Sequence, residues 1–232
     1  MNQPRRAVAD HRAWTTGDGR LSAAHDVFRR KPTMTSTHAG GAERLTAEEF
    51  LDAEPDAFGD VEIEDGRIVR MKAQSRAHSR VTRRLAAALE GARGSAGICV
   101  RVESDVAVRF PDAESKRPER RLNVRYPDIF VSDCEPYDVN TVRDHILLVA
   151  EVVSKETADT DTGIKRLLYA RAEISVYLIV HFDKSWETID RIEEYRLDWS
   201  GVRYMPHKVH RDESVLDTPV KLAITFEALH QA

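Results

Sequence analysis

Alternating hydrophobic and polar positions predict a β-hairpin, and a helical pattern follows it. Residues 61–71, VEIEDGRIVRM, alternate on both sides of Asp65-Gly66. That dipeptide suits the positive φ angles of a two-residue hairpin turn. Residues 75–93 carry an apolar stripe at helical spacing, formed by Val81, Leu85, Ala88, Leu89 and Ala92. The pattern therefore predicts two short strands followed by an amphipathic helix.

The middle of the chain predicts strands on either side of a second helix. ICVRVESDVAVRF, residues 98–110, alternates as one long strand, and RYPDIFVSD, residues 125–133, is interpreted as another. HILLVAEVVS, residues 145–154, and SVYLIVHFD, residues 175–183, are apolar enough to lie inside a sheet. Residues 158–174 between them predict an amphipathic helix with an inward face of Ile164, Leu167, Leu168 and Ala172.

The remaining segments complete one α/β domain. ETIDRIEEYRL, residues 187–197, predicts an outer strand that pairs with GVRYMPHKV, residues 201–209. VKLAITFEALHQ, residues 220–231, predicts a strand and a short helix. The order of elements favours a mixed central sheet with helices packed against it.

The N-terminal segment lacks a sustained pattern. Residues 1–42 are interpreted as a disordered extension, and the folded domain is predicted to span residues 43–232. A capping box of Thr46 and Glu49 predicts a short helix at the start of the domain. Two alternatives stay open: Met34 is the true start, or the segment is a basic arm that binds nucleic acid.

Composition and charge narrow the function classes. Hydrophobic residues make up 41% and charged residues 32% of the chain, which is typical of soluble globular proteins. No apolar run approaches the ~18 residues of a membrane span. Cys99 and Cys134 are too few for a disulfide framework or a cysteine zinc site, which favours a reducing cytoplasm. Residues 1–40 carry a net charge of +4 and the remainder −8. The acidic body argues against strong non-specific binding of nucleic acid, but it leaves room for a local basic groove.

Two carboxylates interrupt the apolar strands. Asp128 follows Pro127 inside a predicted strand, and Glu151 lies inside LLVAEVVS. A lone buried carboxylate costs several kcal/mol unless it is paired, protonated or bound to a metal. Two oxygen ligands on neighbouring strands suit a hard cation such as Mg²⁺ or Mn²⁺. The alternative is that each carboxylate pairs separately with an arginine.

Lys165 is the third candidate. It follows Asp161 by four residues, so both are expected on one helix face near the C-terminal end of the strand that carries Glu151. A lysine there can hold a water or a phosphate oxygen. The alternative is an ordinary surface lysine.

These residues together resemble a known family. YPDIFV, VAEVVS and DTDTGIKRLLYARAEISVYLIV resemble the core of the bacterial Uma-two-type restriction endonuclease family, within the PD-(D/E)XK nuclease superfamily. The hairpin and the SRAHSRVTRRLAAAL helix extend the similarity from about Leu45 to about Leu197. The resemblance implies a restriction-endonuclease-like sheet flanked by helices, with an N-terminal β-hairpin. It also implies a site whose residues are Asp128, Glu151, Val152, Lys165, Glu62 and His78.

The resemblance assigns roles to those residues. Asp128, Glu151 and the carbonyl of Val152 would hold the metal, and Lys165 would be the catalytic lysine. It would be displaced from the usual position two residues after the glutamate, where this chain has Val153. The chain departs from the family at residues 154–157, SKET, which makes Lys155 a rival lysine.

Glu62 and His78 match positions that the family keeps near the cleft. Glu62 could equally be a solvated acid, and His78 could equally be a satisfied core histidine.

The resulting prediction is a Mg²⁺-dependent DNA endonuclease. Arginines of the 76–93 helix and of the ESKRPERR loop are candidate phosphate contacts, or else solvated surface charges. Two alternatives remain. One is a catalytically inactive nuclease-fold protein that binds nucleic acid or has a regulatory role, and the other is a phosphohydrolase that acts on nucleotides. A homodimer is expected for a nuclease that cuts both strands of a two-fold duplex.

Overall fold

The computed structural model describes residues 61–71, 73–111, 122–137, 141–155, 158 and 160–231. The predicted N-terminal extension, the capping box at Thr46 and most of the ESKRPERR loop lie outside these residues. No helix in the described part of the chain is long and apolar enough to cross a membrane.

Six strands form the larger sheet among the described residues. Their order is β10-β9-β8-β7-β6-β3, and only β7 and β8 pair in parallel. The apolar strands β7 and β8 lie in the middle, as predicted from their lack of polar faces. The bounds are β3 Val100–Glu103, β6 Ile129–Asp133, β7 Ile146–Val152, β8 Val176–Phe182, β9 Ile189–Leu197 and β10 Tyr204–His210.

A smaller sheet contains the predicted hairpin. Its order is β2-β1-β5-β4, with β1 Val61–Glu64, β2 Arg67–Arg70, β4 Val108–Pro111 and β5 Leu122–Arg125. The hairpin prediction is confirmed, since Asp65 and Gly66 take φ angles of 50° and 75°. A separate strand pair, β11 Glu213–Leu216 and β12 Leu222–Thr225, lies near the end of the chain.

Two predicted strands were wrong, because each is divided between the two sheets. Residues 98–110 form β3 and β4, and the chain turns between them at Asp105, which has a φ of 55°. Residues 125–133 contain the end of β5 and then β6, with Pro127 and Asp128 between them. Proline cannot donate to a strand ladder. Asp128 therefore lies at the passage from one sheet to the other, immediately before β6, and not within a strand.

The long helix is confirmed and covers one face of the larger sheet. Helix α1, Arg76–Gly91, begins at Ser75, whose hydroxyl accepts a hydrogen bond from the His78 backbone N–H at 3.1 Å. Its predicted stripe is fully buried at Val81, Leu85 and Leu89, which join the first apolar core. A short C-terminal helix, which follows β12 as expected, packs against α1; we name it α3, Phe226–His230.

The predicted inward face of the second helix was partly wrong. The segment is a π-helical turn, Thr160–Lys165, followed by helix α2, Arg166–Arg171. Ile164 and Leu167 are 47% and 50% exposed, whereas Leu168 and Ala172 pack against the second apolar core. The buried series is instead Asp161, Lys165 and Tyr169, spaced four residues apart. The wider π turn and the polar partners of these side chains override the simple apolar stripe.

From Leu148 onward, alternation along β7 determines which core each side chain enters. Leu148, Ala150 and Val152 belong to the first core, beneath α1. Val149 and the following Val153 belong to the second core, which also contains Tyr169. By the period of two, Glu151 points to this second side of the sheet, toward α2.

A disulfide joins the two cysteines. Cys99 precedes β3, and Cys134 follows β6, 35 residues later in the sequence. The sequence analysis treated two cysteines as too few for a disulfide framework, so this crosslink was not predicted. Disulfides are uncommon in reducing compartments.

Candidate active site

A cavity of about 540 Å³ opens where the two sheets meet α1 and the π turn. All five predicted catalytic residues line it: Glu62, His78, Asp128, Glu151 and Lys165. They come from β1, α1, the passage before β6, the end of β7 and the π turn. Residues up to 103 positions apart in the sequence are thus brought to one cavity.

Asp128 is fixed by three donors. Its Oδ2 accepts a hydrogen bond from the backbone N–H of Val152 at 2.7 Å and lies 3.2 Å from Nε2 of His78. Its Oδ1 accepts a hydrogen bond from Nε2 of Gln74 at 3.3 Å. Pairing of Ile129 with Ala150 brings the residue before β6 to the C-terminal end of β7. The backbone register thus places Asp128 beside Glu151.

His78 contacts the carboxylate of Asp128. Burial alone lowers the pKa of His78, but its hydrogen bond and charge interaction with Asp128 raise that pKa above the usual value. Its other ring nitrogen, Nδ1, lies 3.4 Å from the hydroxyl of Thr82. His78 is therefore both a buried histidine and a member of the cavity wall.

Glu151 is almost completely buried and has two partners. Its Oε2 accepts a hydrogen bond from Nζ of Lys165 at 3.0 Å, and its Oε1 accepts one from the hydroxyl of Tyr169 at 2.6 Å. Burial raises the pKa of Glu151 well above its usual value, and the charge of Lys165 opposes that rise. Removing either partner would make the ionised carboxylate more costly.

Lys165 lies among three carboxylates. Its Nζ is 3.0 Å from Glu151, 3.2 Å from Asp161 and 3.3 Å from Glu62. Burial alone lowers the pKa of Lys165, but these carboxylates raise it above its usual value. The side chain is therefore a buried ammonium ion, and the alternative of a surface lysine was wrong.

Glu62 is tied to a buried arginine. Its Oε2 accepts a hydrogen bond from Nη1 of Arg125 at 3.1 Å, and Arg125 also pairs with Glu64 at 3.2 Å. Glu62 is 8% exposed and Arg125 is 1% exposed. The alternative of a solvated Glu62 was therefore wrong. Arg125 pairs with Glu62 and Glu64, whereas Asp128 lies against His78 and Glu151 pairs with Lys165.

The rival lysine also lines the cavity. Lys155 follows β7 and is exposed, in contrast to the buried Lys165. The distance of Lys165 from Glu151 supports the displaced position as the lysine of the site.

Comparison with known proteins supplies the family. Residues 47–228 match the model of the Uma2 family, described as "Putative restriction endonuclease". The chain belongs to the Uma2 family. No curated protein matches the Uma2 chain.

A solved structure shares the fold of this Uma2 chain. It is described as "a putative nuclease belonging to DUF820 from Anabaena variabilis", and the two superpose with a TM-score of 0.56. The alignment covers 80% of this chain and 97% of that one, at 13% sequence identity. The likeness confirms the predicted mixed α/β, nuclease-like fold.

The donor set of the Uma2 site fits a hard divalent cation. Within the described residues, no three His, Cys, Asp or Glu side chains converge as a ready-made metal cluster. Mg²⁺, however, commonly takes only one or two carboxylates and completes its shell with water and substrate phosphate. Asp128 and Glu151 supply that number of carboxylates. Each carboxylate retains lone pairs beyond the hydrogen bonds described above.

Sequence reasoning missed three side chains of the Uma2 site. Tyr169 continues the four-residue spacing of Asp161 and Lys165, and this polar series was a usable signal. Arg125 directly precedes the Tyr-Pro-Asp segment, but nothing in its local pattern separates a buried arginine from an exposed one. Gln74 stands just before the N-cap of α1, and only the tertiary contact with Asp128 reveals it.

Proposed function

We propose that this Uma2 chain is a metal-dependent endonuclease that hydrolyses phosphodiester bonds in DNA. The observation that supports it best is the placement of Lys165 at 3.0 Å from Glu151, in the cavity that Asp128 also lines. Two carboxylates can hold a metal ion, and an ammonium ion can offset charge on a phosphate, as metal-assisted phosphodiester hydrolysis uses them. Membership of the Uma2 family supports the same reaction class.

Asp128 and Glu151 would hold Mg²⁺ or Mn²⁺, together with the carbonyl of Val152. The bound cation would polarise the scissile phosphate and lower the pKa of a water molecule. Lys165 would orient that water and offset the negative charge that develops on the phosphate. Tyr169 would keep Glu151 in position, and His78 would do the same for Asp128.

The test is nicking of supercoiled plasmid by the purified protein, with Mg²⁺, with Mn²⁺ and with EDTA. Asp128→Asn, Glu151→Gln and Lys165→Ala are expected to abolish metal-dependent nicking. Lys208→Ala is a matched control, since Lys208 is an exposed lysine on β10 that does not line the cavity. Circular dichroism of each variant separates lost chemistry from lost folding.

Nicking by Lys165→Ala at the wild-type rate would refute the role of Lys165. Absence of nicking by the wild type, together with calorimetric binding of Mg²⁺ that Asp128→Asn removes, would favour another phosphoester substrate. Absence of both nicking and metal binding would favour an inactive nuclease-fold protein that binds nucleic acid or has a regulatory role.

A nucleotide phosphohydrolase is the second candidate function, and the charge of the cavity favours it. Among the described lining residues, six are acidic and four are basic. A net negative lining suits one small phosphoester with its own cations better than a long polyanion. Release of inorganic phosphate from a panel of nucleotides, measured beside the plasmid assay, distinguishes the two.

A further inference from the structure

Trp186 occupies an unusual backbone conformation at the wall of the cavity. Its φ is 61°, in the left-handed region. The other non-glycine residues with positive φ in the described chain are all acidic: Asp65, Asp105, Glu173 and Asp212. A bulky side chain in this region is strained and persists only where the surroundings enforce it.

The turn between β8 and β9 enforces this conformation. The carbonyl of Asp183 accepts a hydrogen bond from the Trp186 backbone N–H at 3.1 Å. The carboxylate of Asp183 accepts hydrogen bonds from the backbone N–H and the hydroxyl of Ser185. The indole packs against both apolar cores and still lines the cavity. The chain thus holds a flat aromatic surface at a fixed place in the wall.

Part of the cavity lining is apolar, in contrast to its buried carboxylates. Phe182 at the end of β8 belongs to this lining, as does Trp186. Val69 on β2 and Met71, which directly follows β2, are 40% and 39% exposed and also line the cavity. These side chains favour an uncharged, flat group.

Buried acids outnumber buried bases in the cavity: Glu62, Asp128, Glu151 and Asp161 against Lys165 and Arg125. These carboxylates would repel phosphate groups that approach without a cation. Arg70 and Lys155 also line the cavity and are exposed, as is the acidic Asp105. Phosphates of the nucleotides that flank the reacting one would therefore be held on Arg70 and Lys155, while the reacting nucleotide enters the cavity.

We propose that the cavity accepts one unpaired nucleotide of single-stranded DNA, with its base stacked on the indole of Trp186 and the phosphates of the flanking nucleotides on Arg70 and Lys155. The volume of about 540 Å³ lies in the range of pockets that enclose one small-molecule-sized group. Base stacking on aromatic side chains is the usual source of affinity for single strands and tolerates any sequence. A base within a duplex has both faces covered by its neighbours, so it cannot stack on the indole without leaving the helix. This inference rests on the proposed function, because it names the form of DNA that the same site takes.

The test is binding without cleavage, measured in EDTA by fluorescence anisotropy of a labelled oligonucleotide. The oligonucleotide is compared with the duplex of the same sequence. The single strand is expected to bind more tightly than the duplex, and Trp186→Ala is expected to weaken single-strand binding by about tenfold or more. Trp186→Phe keeps an aromatic face and should retain most of the affinity. Trp199→Ala is the matched control, since Trp199 is 96% exposed and does not line the cavity.

A second measurement does not depend on the folding of Trp186→Ala. The double variant Trp14→Phe and Trp199→Phe leaves Trp186 as the sole tryptophan of the chain. Single-stranded DNA should quench its fluorescence saturably, and the duplex should not. Equal quenching by single strand and duplex, or none by either, would overturn the proposal. Quenching by the single strand without any metal-dependent cleavage would refute the nuclease while leaving this binding mode intact.

Discussion

At the scale of single residues, Lys165 is the cation that three carboxylates of the cavity share. Its ammonium lies within 3.3 Å of Glu62, Glu151 and Asp161. Lys165→Met leaves these carboxylates without their shared cation, so the variant should lose about 3–5 kcal/mol of unfolding free energy. Urea denaturation at neutral pH measures the loss.

The exposed Lys208 supplies the control for this substitution. Lys208→Met removes a lysine of the same length from the surface, where single substitutions usually change stability by less than about 0.5 kcal/mol. Equal stability of the Lys165 and Lys208 variants would mean that the buried ammonium does not compensate the acids.

Tyr169 tunes the ionisation of Glu151. The hydrogen bond from its hydroxyl lowers the pKa of that carboxyl, against a larger rise caused by burial. Tyr169→Phe removes the hydrogen bond and should raise the pKa further. If cleavage needs ionised Glu151, the acid limb of the pH profile should move to higher pH in Tyr169→Phe. An unchanged acid limb in plasmid nicking would show that Glu151 does not limit the reaction at low pH.

At the scale of elements, a buried carboxylate helps to fix the pairing of β9 with β10. Glu194 on β9 accepts a hydrogen bond from Nε of Arg196 at 2.6 Å and lies 2.9 Å from Nε2 of His210 on β10. Burial raises the pKa of Glu194, but the His210 and Arg196 interactions outweigh it and hold the pKa below the usual value. A carboxyl with a lowered folded-state pKa contributes stability above its unfolded pKa of about 4.3 and loses it as the pH falls through the lower folded pKa.

Glu194→Gln should therefore be less stable than the wild type by about 2–3 kcal/mol at pH 7. The difference should shrink as the pH falls below about 4.3. Thermal unfolding between pH 7 and pH 3 measures it. Glu213→Gln, an exposed glutamate on β11, should keep the wild-type pH dependence. If the difference in unfolding stability between Glu194→Gln and the wild type were the same at all pH values, the link between the ionisation of Glu194 and stability would be contradicted.

The disulfide acts on two strands that are already paired. Val100 pairs with Asp133 one residue inside the crosslink of Cys99 with Cys134. In the chain-entropy account, a disulfide that closes a loop of 35 residues raises the free energy of unfolding by between about 3 and 5 kcal/mol. Reduction should lower the unfolding free energy by up to that amount. The double variant Cys99→Ser and Cys134→Ser should match the reduced protein and be insensitive to reductant.

Helices and strands were predicted correctly where the local sequence pattern alone determined the structure. Prediction failed where tertiary contacts or a passage between two sheets also determined it. The hairpin at Asp65-Gly66 and the apolar strands β7 and β8 needed only local information. The passage at Pro127-Asp128 between two sheets could not be inferred, because alternation continues on both sides of it. The face of the 158–174 helix was misjudged because Lys165 and Tyr169 find a buried partner in Glu151 on β7, and Asp161 pairs with Lys165.

At the scale of the whole molecule, the candidate site was largely predictable as a set. Asp128, Glu151, Lys165, Glu62 and His78 were all placed around one cavity. Their mutual contacts were not predictable, because sequence patterns do not show which buried acid takes which cation. The homodimer and the metal stay predictions, which sedimentation and calorimetry can check.

The boundary of the domain gives a further prediction for the whole chain. A protein that starts at residue 43 should unfold with the same free energy and denaturant slope as the full chain, because the patterned sequence and the family match both begin after that residue. Urea denaturation of the two proteins tests this. A lower free energy for the shorter protein would show that residues 1–42 contribute to the fold.

The displaced position of Lys165 has a consequence for how such proteins are found. In this chain the position two residues after the glutamate belongs to Val153, which is 2% exposed and packs in the second core. A search that demands a Glu-X-Lys string would pass over this chain, although its lysine lies 3.0 Å from the glutamate. If cleavage assays establish Lys165 as the catalytic lysine, a query phrased as distances between charged groups would recover nucleases that a linear motif passes over.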